Sequence, residues 1–314
     1  MEEALYSDLG FFNTDQVRSD KEGDFLTSPE VSKYFGKIIR NWIHSESNLK
    51  NIIEIGSGTG SLIEQIGIKE ITAVELSSTA REELIKKGID THTTIDELTT
   101  KTSDLIFGNE ILDNIPCSIG LYKDEGWYEK VVLLEENSLA YGLRPIRNEE
   151  LDWINKNNIV PNEDYEFEIQ VNIDKFLNSV IKKINPGKIL LFDYGYEQQN
   201  RDKRMYSSLL RTYKNHHLSV DPIEDPGNID ITYDVNFSSI SRELKYLGYD
   251  VTLKLQRDFL LDNGFNIFFD ELQEKYIYAE GIEKLKINSE LNGMKAIVDS
   301  NGLGGFYCLI AEKL

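Results

Sequence analysis

The sequence predicts an α/β fold, a doubly wound and largely parallel sheet, and three observations carry it. Short apolar strands alternate with helix-periodic segments between residues 51 and 107. A glycine-rich turn joins the first of these strands to its helix. The same rhythm returns after residue 173, beyond a stretch of different character.

Taken in order, the first strong signal is a helix over 29–44. Val31, Tyr34, Phe35, Ile38, Ile39, Trp42 and Ile43 recur at helical spacing, so one face is expected to be buried. Thr27 or Ser28 suits the N-cap, Pro29 the first turn, and Glu30 completes a capping box with Thr27. Asn51–Ile55 reads as a buried strand that ends at glycines, and 61–67 as helix. Ile71–Glu75 is a second strand, 78–87 a helix and Ser103–Phe107 a third strand.

The alternation then breaks. Residues 117–147 read as a β-hairpin region, with Val131–Leu134 and Leu139–Tyr141 flanking the polar Glu135–Ser138. A helix at 173–184, the strand Ile189–Phe192 and the turn Asp193–Tyr196 follow. Residues 197–236 are rich in Pro, Asp and Asn and show little periodicity. A helix at 238–247, a strand at 249–255, more helix and a last strand over Phe306–Ala311 complete the pattern. The expected organisation is a single domain over 1–314 with a helical N-terminal segment over 1–50. Segments 117–165 and 197–236 are expected to cover a ligand site, because long irregular connections in compact domains are usually functional.

Composition narrows the function. With 40% hydrophobic and 28% charged residues, the 314-residue chain has the balance of a soluble enzyme. No apolar run approaches membrane-spanning length, and the acidic Met-Glu-Glu start argues against a secretory or transit segment. Cys117 and Cys308 are too few for a disulfide framework or a zinc site, so a cytoplasmic location is expected. Thirty-four basic against 54 acidic residues give a net charge of −20, which opposes a nucleic-acid partner. The same charge attracts a cationic substrate; solubility alone is the plain alternative.

"EIGSGTG", residues 54–60, joins strand to helix with Gly56, Gly58 and Gly60 free to adopt positive φ and to admit a ligand against bare backbone. Glu75 ends the next strand, 19 residues after Gly56, where an acidic side chain grips ribose hydroxyls. A dinucleotide fingerprint needs glycine where Ser61 stands. The observed E-x-G-x-G-x-G instead looks like the first motif of S-adenosylmethionine (SAM) methyltransferases, with Glu54 placed to meet positive charge. A nicotinamide or flavin cofactor and a ligand-free turn are the alternatives.

Further stretches occur in one order: "GDFLTSPEVSKYFG" (23–36), "VELS" (74–77), "GNEILDNIPC" (108–117), "LLFDYGY" (190–196), "SSLLRTYKNHH" (207–217) and "DPGNIDITYDVNF" (225–237). Together with the glycine loop, they make the chain resemble the MidA-like family of SAM-dependent methyltransferases over nearly its whole length. That family includes the mitochondrial factor that methylates an arginine of a respiratory complex I subunit. The resemblance implies a class I methyltransferase fold, Rossmann-like, with inserted cover segments. It also implies SAM as cofactor and a protein substrate, a respiratory-complex subunit included. Two departures weaken transfer of the substrate: an N-terminal helical stretch of relatives has no counterpart, and Ser208-Leu209-Leu210 stands where relatives show Gly-Thr-Leu.

The resemblance implies that Asp24, Phe25 and Thr27 close one side of the SAM site; the other cofactor-binding candidates are Glu54, Gly56, Gly58, Gly60, Glu75, Leu76 and Asn109. The catalytic candidates are Glu110, Asp113 and His217. Methyl transfer from a sulfonium is chiefly a matter of alignment. A guanidinium acceptor also needs carboxylates that hold it by paired hydrogen bonds, and Glu110 and Asp113 follow the strand ending at Phe107, at the ligand edge of an open sheet. The bland alternative makes Glu110 a helix cap and Asp113 a solvated residue. The resemblance puts His217 or His216 near the cleft, without choosing between them. Asp193 and Tyr194 are placed for substrate contact or simply shape a turn, while Asp230, Thr232 and Asp234 read as one polar face of a short strand. Cys117 lacks an evident partner base, and no cluster has metal-ligand spacing. The expected activity is methyl transfer to an arginine of a partner protein. A small-molecule N- or O-methyltransferase and a SAM-binding assembly factor with little catalysis are the alternatives, since fold does not fix substrate.

Overall fold

A computed structural model describes residues 1–13, 27–46, 49–136, 138–203, 209–214, 217–218 and 221–313. The strands are, in chain order, β1 Ile52–Ile55, β2 Ile71–Val74, β3 Thr91–His92, β4 Ser103–Asn109, β5 Ser118–Lys123, β6 Gly126–Glu135, β7 Ser138–Pro145 and β8 Tyr165–Ile169. They continue as β9 Ile184–Asp193, β10 Gly195–Tyr196, β11 Leu210–Lys214, β12 His217–Leu218, β13 Asp230–Tyr233, β14 Val235–Asn236, β15 Asp250–Leu255 and β16 Tyr307–Glu312. The helices are α1 Glu2–Tyr6, α2 Ser28–Val31, α3 Tyr34–Ser45, α4 Ser61–Ile66, α5 Ser78–Lys86, α6 Asn148–Lys156, α7 Val171–Lys183, α8 Phe237–Tyr246, α9 Gln256–Asp262, α10 Phe265–Tyr278 and α11 Gly281–Ile297.

Seven strands form the main sheet in the order β15-β16-β9-β4-β1-β2-β3. Pairing from β9 to β3 is parallel, and β16 runs antiparallel to both of its neighbours. Strand residues alternate between the two faces, which are both covered, so the strands read as continuous apolar runs. Ile52, Leu105, Phe107, Leu190 and Phe192 pack with α3, α4 and α9–α11 on one side. Ile53, Ile106, Ile189 and Leu191 pack with α7 and α8 on the other. The doubly wound sheet is therefore present as expected.

Several elements depart from their expected form. The helix expected over 29–44 is broken at Ser32, whose backbone is extended (φ −150°, ψ 118°) and whose hydroxyl accepts from the Tyr34 N–H at 3.3 Å. Its N-cap, Thr27, makes no side-chain cap bond, so the capping box does not form. Residues 117–147 form a three-stranded meander, which β8 joins to make a separate four-stranded sheet. The 197–236 stretch contains β11, β12 and β13 in a third small sheet. Strand β9 begins at Ile184, ahead of the expected 189, because Ile184 already pairs with Ser103.

Phe192 is the hinge of the core beneath the site, 5.1 Å edge-on from Phe35 and 5.2 Å edge-on from Phe259. Phe192→Ala should cost about 3–5 kcal/mol, because three close-packed rings cannot collapse over the hole. Urea unfolding checks this, and a loss below about 1 kcal/mol would show that the aromatic cluster is not a keystone.

Candidate active site

The loop after β1 turns sharply because three of its residues have positive φ: Gly56 (+69°), Gly58 (+51°) and Gly60 (+86°). A Cβ on Gly56 would stand 2.3 Å from Ile111 Cγ2, so only glycine lets the segment after β4 pack here. The Gly56 N–H donates to Val74 O (2.9 Å), tying the loop to β2. The Gly58 N–H donates to Glu75 Oε2 (2.8 Å), and the Ser77 N–H to Glu75 Oε1 (2.8 Å).

A cavity of about 250 Å³ opens above this loop. Of the sequence candidates, Thr27, Glu54, Gly56, Gly58, Glu75, Leu76, Asn109 and Glu110 line it. Gly60 does not; it packs toward Leu84 and heads α4. Asp113 lies behind the wall, buried. Asp24, Phe25 and His216 fall outside the described residues, while His217 lies in β12 and its side chain is likewise outside them. Tyr6, Phe12 and Phe176 also line the cavity. Tyr6 and Phe12 stack at 5.5 Å, and the Tyr6 hydroxyl donates to Asn114 O at 3.1 Å. Phe176 falls within the expected helix and Tyr6 and Phe12 within an unpatterned segment, so nothing in the sequence marks them as cavity wall.

The cavity is strongly acidic. Burial, with Glu75 nearby, pushes the Glu54 carboxyl well above the usual range, and its Oε2 has no hydrogen-bond partner. Burial also raises Glu75, against the pull of its backbone donors and of Arg81. Across the cavity the Glu110 backbone is left-handed (φ +52°), unusual for a residue with a side chain, and its N–H donates to Phe192 O at 2.8 Å. Glu110 Oε1 accepts from Asn109 Nδ2 (3.0 Å) and from the Ser28 N–H (3.3 Å). Burial, with Asp113 and Asp230 nearby, pushes Glu110 up to about 8. Burial likewise raises Asp113 to about 6, held back by the Tyr194 hydroxyl that donates to it and by Arg211.

Other acidic and aromatic residues frame this pair. Asp193 is wholly buried and does not reach the cavity. Its Oδ2 accepts from the Leu112 (2.8 Å) and Asp113 (3.3 Å) N–H groups, and its Oδ1 from the Tyr194 N–H (2.9 Å). Of the two readings of Asp193, shaping the turn is the one its contacts match. The Arg211 guanidinium lies 4.6 Å over the Tyr194 ring and bonds Asp234 Oδ1 at 2.9 Å. The Tyr233 hydroxyl lies within hydrogen-bond distance of Leu112 O and Ile115 O (2.9 and 2.7 Å) and shares its proton between them. All four residues of β13 are buried, so the polar side chains of this short strand, Asp230 and Thr232, lie inside the protein. Burial pushes the Cys117 thiol up, which keeps it protonated and unreactive.

Known proteins place this geometry. The family model of S-adenosyl-L-methionine-dependent methyltransferases matches residues 36–252. The chain belongs to this family. It is a MidA-like, SAM-dependent methyltransferase of class I fold. The mitochondrial protein arginine methyltransferase NDUFAF7 homolog of Caenorhabditis elegans is 25% identical over 303 residues, covering 81% of this chain and 68% of that protein. Its Homo sapiens counterpart is 24% identical over 306 residues, covering 76% and 66%. A Burkholderia thailandensis crystal structure bound to S-adenosyl-homocysteine superposes with a TM-score of 0.84 at 21% identity, covering 99% of this chain and 86% of that one.

The residues present fit the cofactor. The unpartnered Glu54 oxygen suits a cationic amino-acid end, the positive-φ backbone permits close approach, and Glu75 keeps lone pairs for ribose hydroxyls. Gly58→Val should therefore weaken SAM binding on the order of a hundredfold, because a β-branched residue is strained at this φ and would intrude on the cavity. Calorimetry giving normal affinity for a folded variant would remove the loop from the cofactor site.

Glu110 also makes a stability prediction. A carboxyl whose folded pKa is raised contributes fully below its unfolded pKa, and that contribution is lost as pH climbs through about 8. Glu110→Gln should accordingly melt several degrees above the parent at high pH, with the gap closing in acid. Equal melting curves at every pH would show that Glu110 is not held in its neutral form.

Proposed function

We propose that this methyltransferase acts on the guanidinium of an arginine in a partner protein. The observation that carries the reading is Glu110: a carboxyl on the cavity wall, crowded by Asp113 and Asp230 and raised to about 8, with its two hydrogen bonds both on Oε1. Such a group is completed by a cationic N–H donor. The relatives named as protein arginine methyltransferases support the same class of acceptor.

Bound in the cavity, SAM supplies an electrophilic methyl carbon on a sulfonium. The protein's part is alignment. Asn109 orients Glu110, and Glu110 takes hold of the guanidinium edge and concentrates its charge away from the attacking nitrogen. Asp113, behind the wall with an unpaired Oδ1, adds negative potential that favours the cation. Tyr6, Phe12 and Phe176 exclude water from one side. The net charge of −20 draws a basic segment toward the mouth. His217 as a participant, 117–165 and 197–236 as covers, a respiratory-complex subunit as target and a cytoplasmic setting belong to the same reading. For the setting, the support is that Cys117 and Cys308 are free thiols.

Incubation with methyl-labelled SAM and lysate of the source organism tests the reading. Label should enter protein and be recovered as methylated arginine after hydrolysis; label confined to small molecules would overturn it. Glu110→Gln should lower kcat/KM about a hundredfold or more with SAM affinity within twofold, and should remove a limb of the pH profile that rises toward about 8.

A further inference from the structure

The Thr-Ser-Pro-Glu stretch at 27–30 does more than begin a helix. Ser28 is fully buried and donates twice: its N–H to Glu110 Oε1 (3.3 Å) and its hydroxyl to Gln256 Oε1 (3.2 Å). Gln256, equally buried at the head of α9, donates its Nε2 to Ile297 O at 3.0 Å and its backbone N–H to Phe306 O at 2.7 Å.

Donor and acceptor chemistry gives this chain a direction. A backbone carbonyl can only accept, so Ile297 takes the amide NH2 and turns the Gln256 oxygen toward Ser28. The Ser28 hydroxyl then commits its single proton to that oxygen, and only the Ser28 N–H remains for Glu110. Asn109 donates to the same Glu110 oxygen. Both bonds therefore fall on Oε1, and Oε2 is the oxygen that carries the proton of the neutral acid or offers the charge of the ion. The anchor is stiff: a Cβ on Gly293 of α11 would lie 2.6 Å from Val31 O, so α11 and α2 meet backbone to backbone.

We propose that Gln256 is a positioning residue for Glu110: through Ser28 it turns Oε1 into the protein and leaves Oε2 to the methyl acceptor. This rests on the reading of Glu110 as the acceptor-holding group. Gln256 touches neither cofactor nor acceptor and acts only through Ser28. The groups that bear on Glu110 are the carboxyls of Asp113, Asp193 and Asp230, with Ser28 and Asn109 as donors and Arg211 acting on Asp113.

The test uses the full chain labelled with 13C at glutamate side-chain carboxyls, with the Glu110 signal identified by its loss in Glu110→Gln. In Gln256→Leu the Glu110 midpoint should rise by about one pH unit, because the Ser28 N–H that favours the ion is no longer fixed. Gln256→Glu should bring it back. A carboxyl buried there stays protonated, donates to Ile297 and accepts from Ser28. SAM affinity by calorimetry should stay within twofold, while kcat/KM for methyl transfer to labelled lysate protein falls about tenfold, an effect absent in a Glu110→Gln background. If Gln256→Leu does not fold, Ser28→Ala cuts the same link while keeping its N–H, and should shift the midpoint the same way by less. An unchanged midpoint in a folded variant overturns the proposal. A shifted midpoint with unaltered transfer supports the positioning and overturns instead the role given to Glu110.

Discussion

Asn109 pairs with Phe192, and this register sets the ends of β4 and β9 side by side, with Asp193 as the last residue of β9 and Glu110 just beyond β4. Carboxyls brought together in this way repel one another and resist leaving water. Everything nearby answers that constraint. Asp193 is stabilised by three backbone N–H groups, and in accepting them it fixes the segment that carries Glu110 and Asp113. Tyr194, continuing from β9, gives its hydroxyl to Asp113 and its ring to Arg211. A group that looks like a destabilising cluster is thus also the frame that holds the reactive edge in place.

Distant parts of the chain converge on this frame. Tyr233 from β13 clamps Leu112 and Ile115, and Asn114 reaches Asp230 at 2.9 Å. Tyr6 closes over the same loop from α1. Strands β9 and β13 and helices α1 and α2 thereby all hold one short connection after β4. Strain at Glu110, a side-chain-bearing residue in left-handed conformation, persists because so many contacts over-determine it.

The sheet was legible in the sequence because buried parallel strands leave an unmistakable mark: Ile52–Ile55, Ile71–Val74 and Ser103–Phe107 are short apolar runs followed by helices. The glycine loop was legible for a similar reason, since Gly56 and Gly58 are required by backbone geometry that no other residue meets easily. Ser28 reads locally as a cap candidate, whereas the N-cap position is Thr27 and the Ser28 hydroxyl turns to Gln256. A serine before proline suits an N-cap locally, and nothing nearby reveals Gln256, 228 residues onward, as its partner. Tyr6, Phe12 and Phe176 were invisible as cavity walls, since aromatic residues in unpatterned or amphipathic segments read as ordinary core. Asp193 is ambiguous in sequence because a carboxyl at a strand end is equally suited to substrate or to backbone donors. Only three-dimensional crowding decides.

The place of β16 has a consequence for how the molecule is made. Residues 307–312 insert between β9 and β15, antiparallel to both. Until they emerge, β9 presents a bare apolar edge to whatever lies nearby, although the residues before 307 have already been synthesised. The floor beneath Asp193 is therefore finished late, and a ribosome stalled shortly before that point releases a protein whose glycine loop is complete but whose sheet stands open.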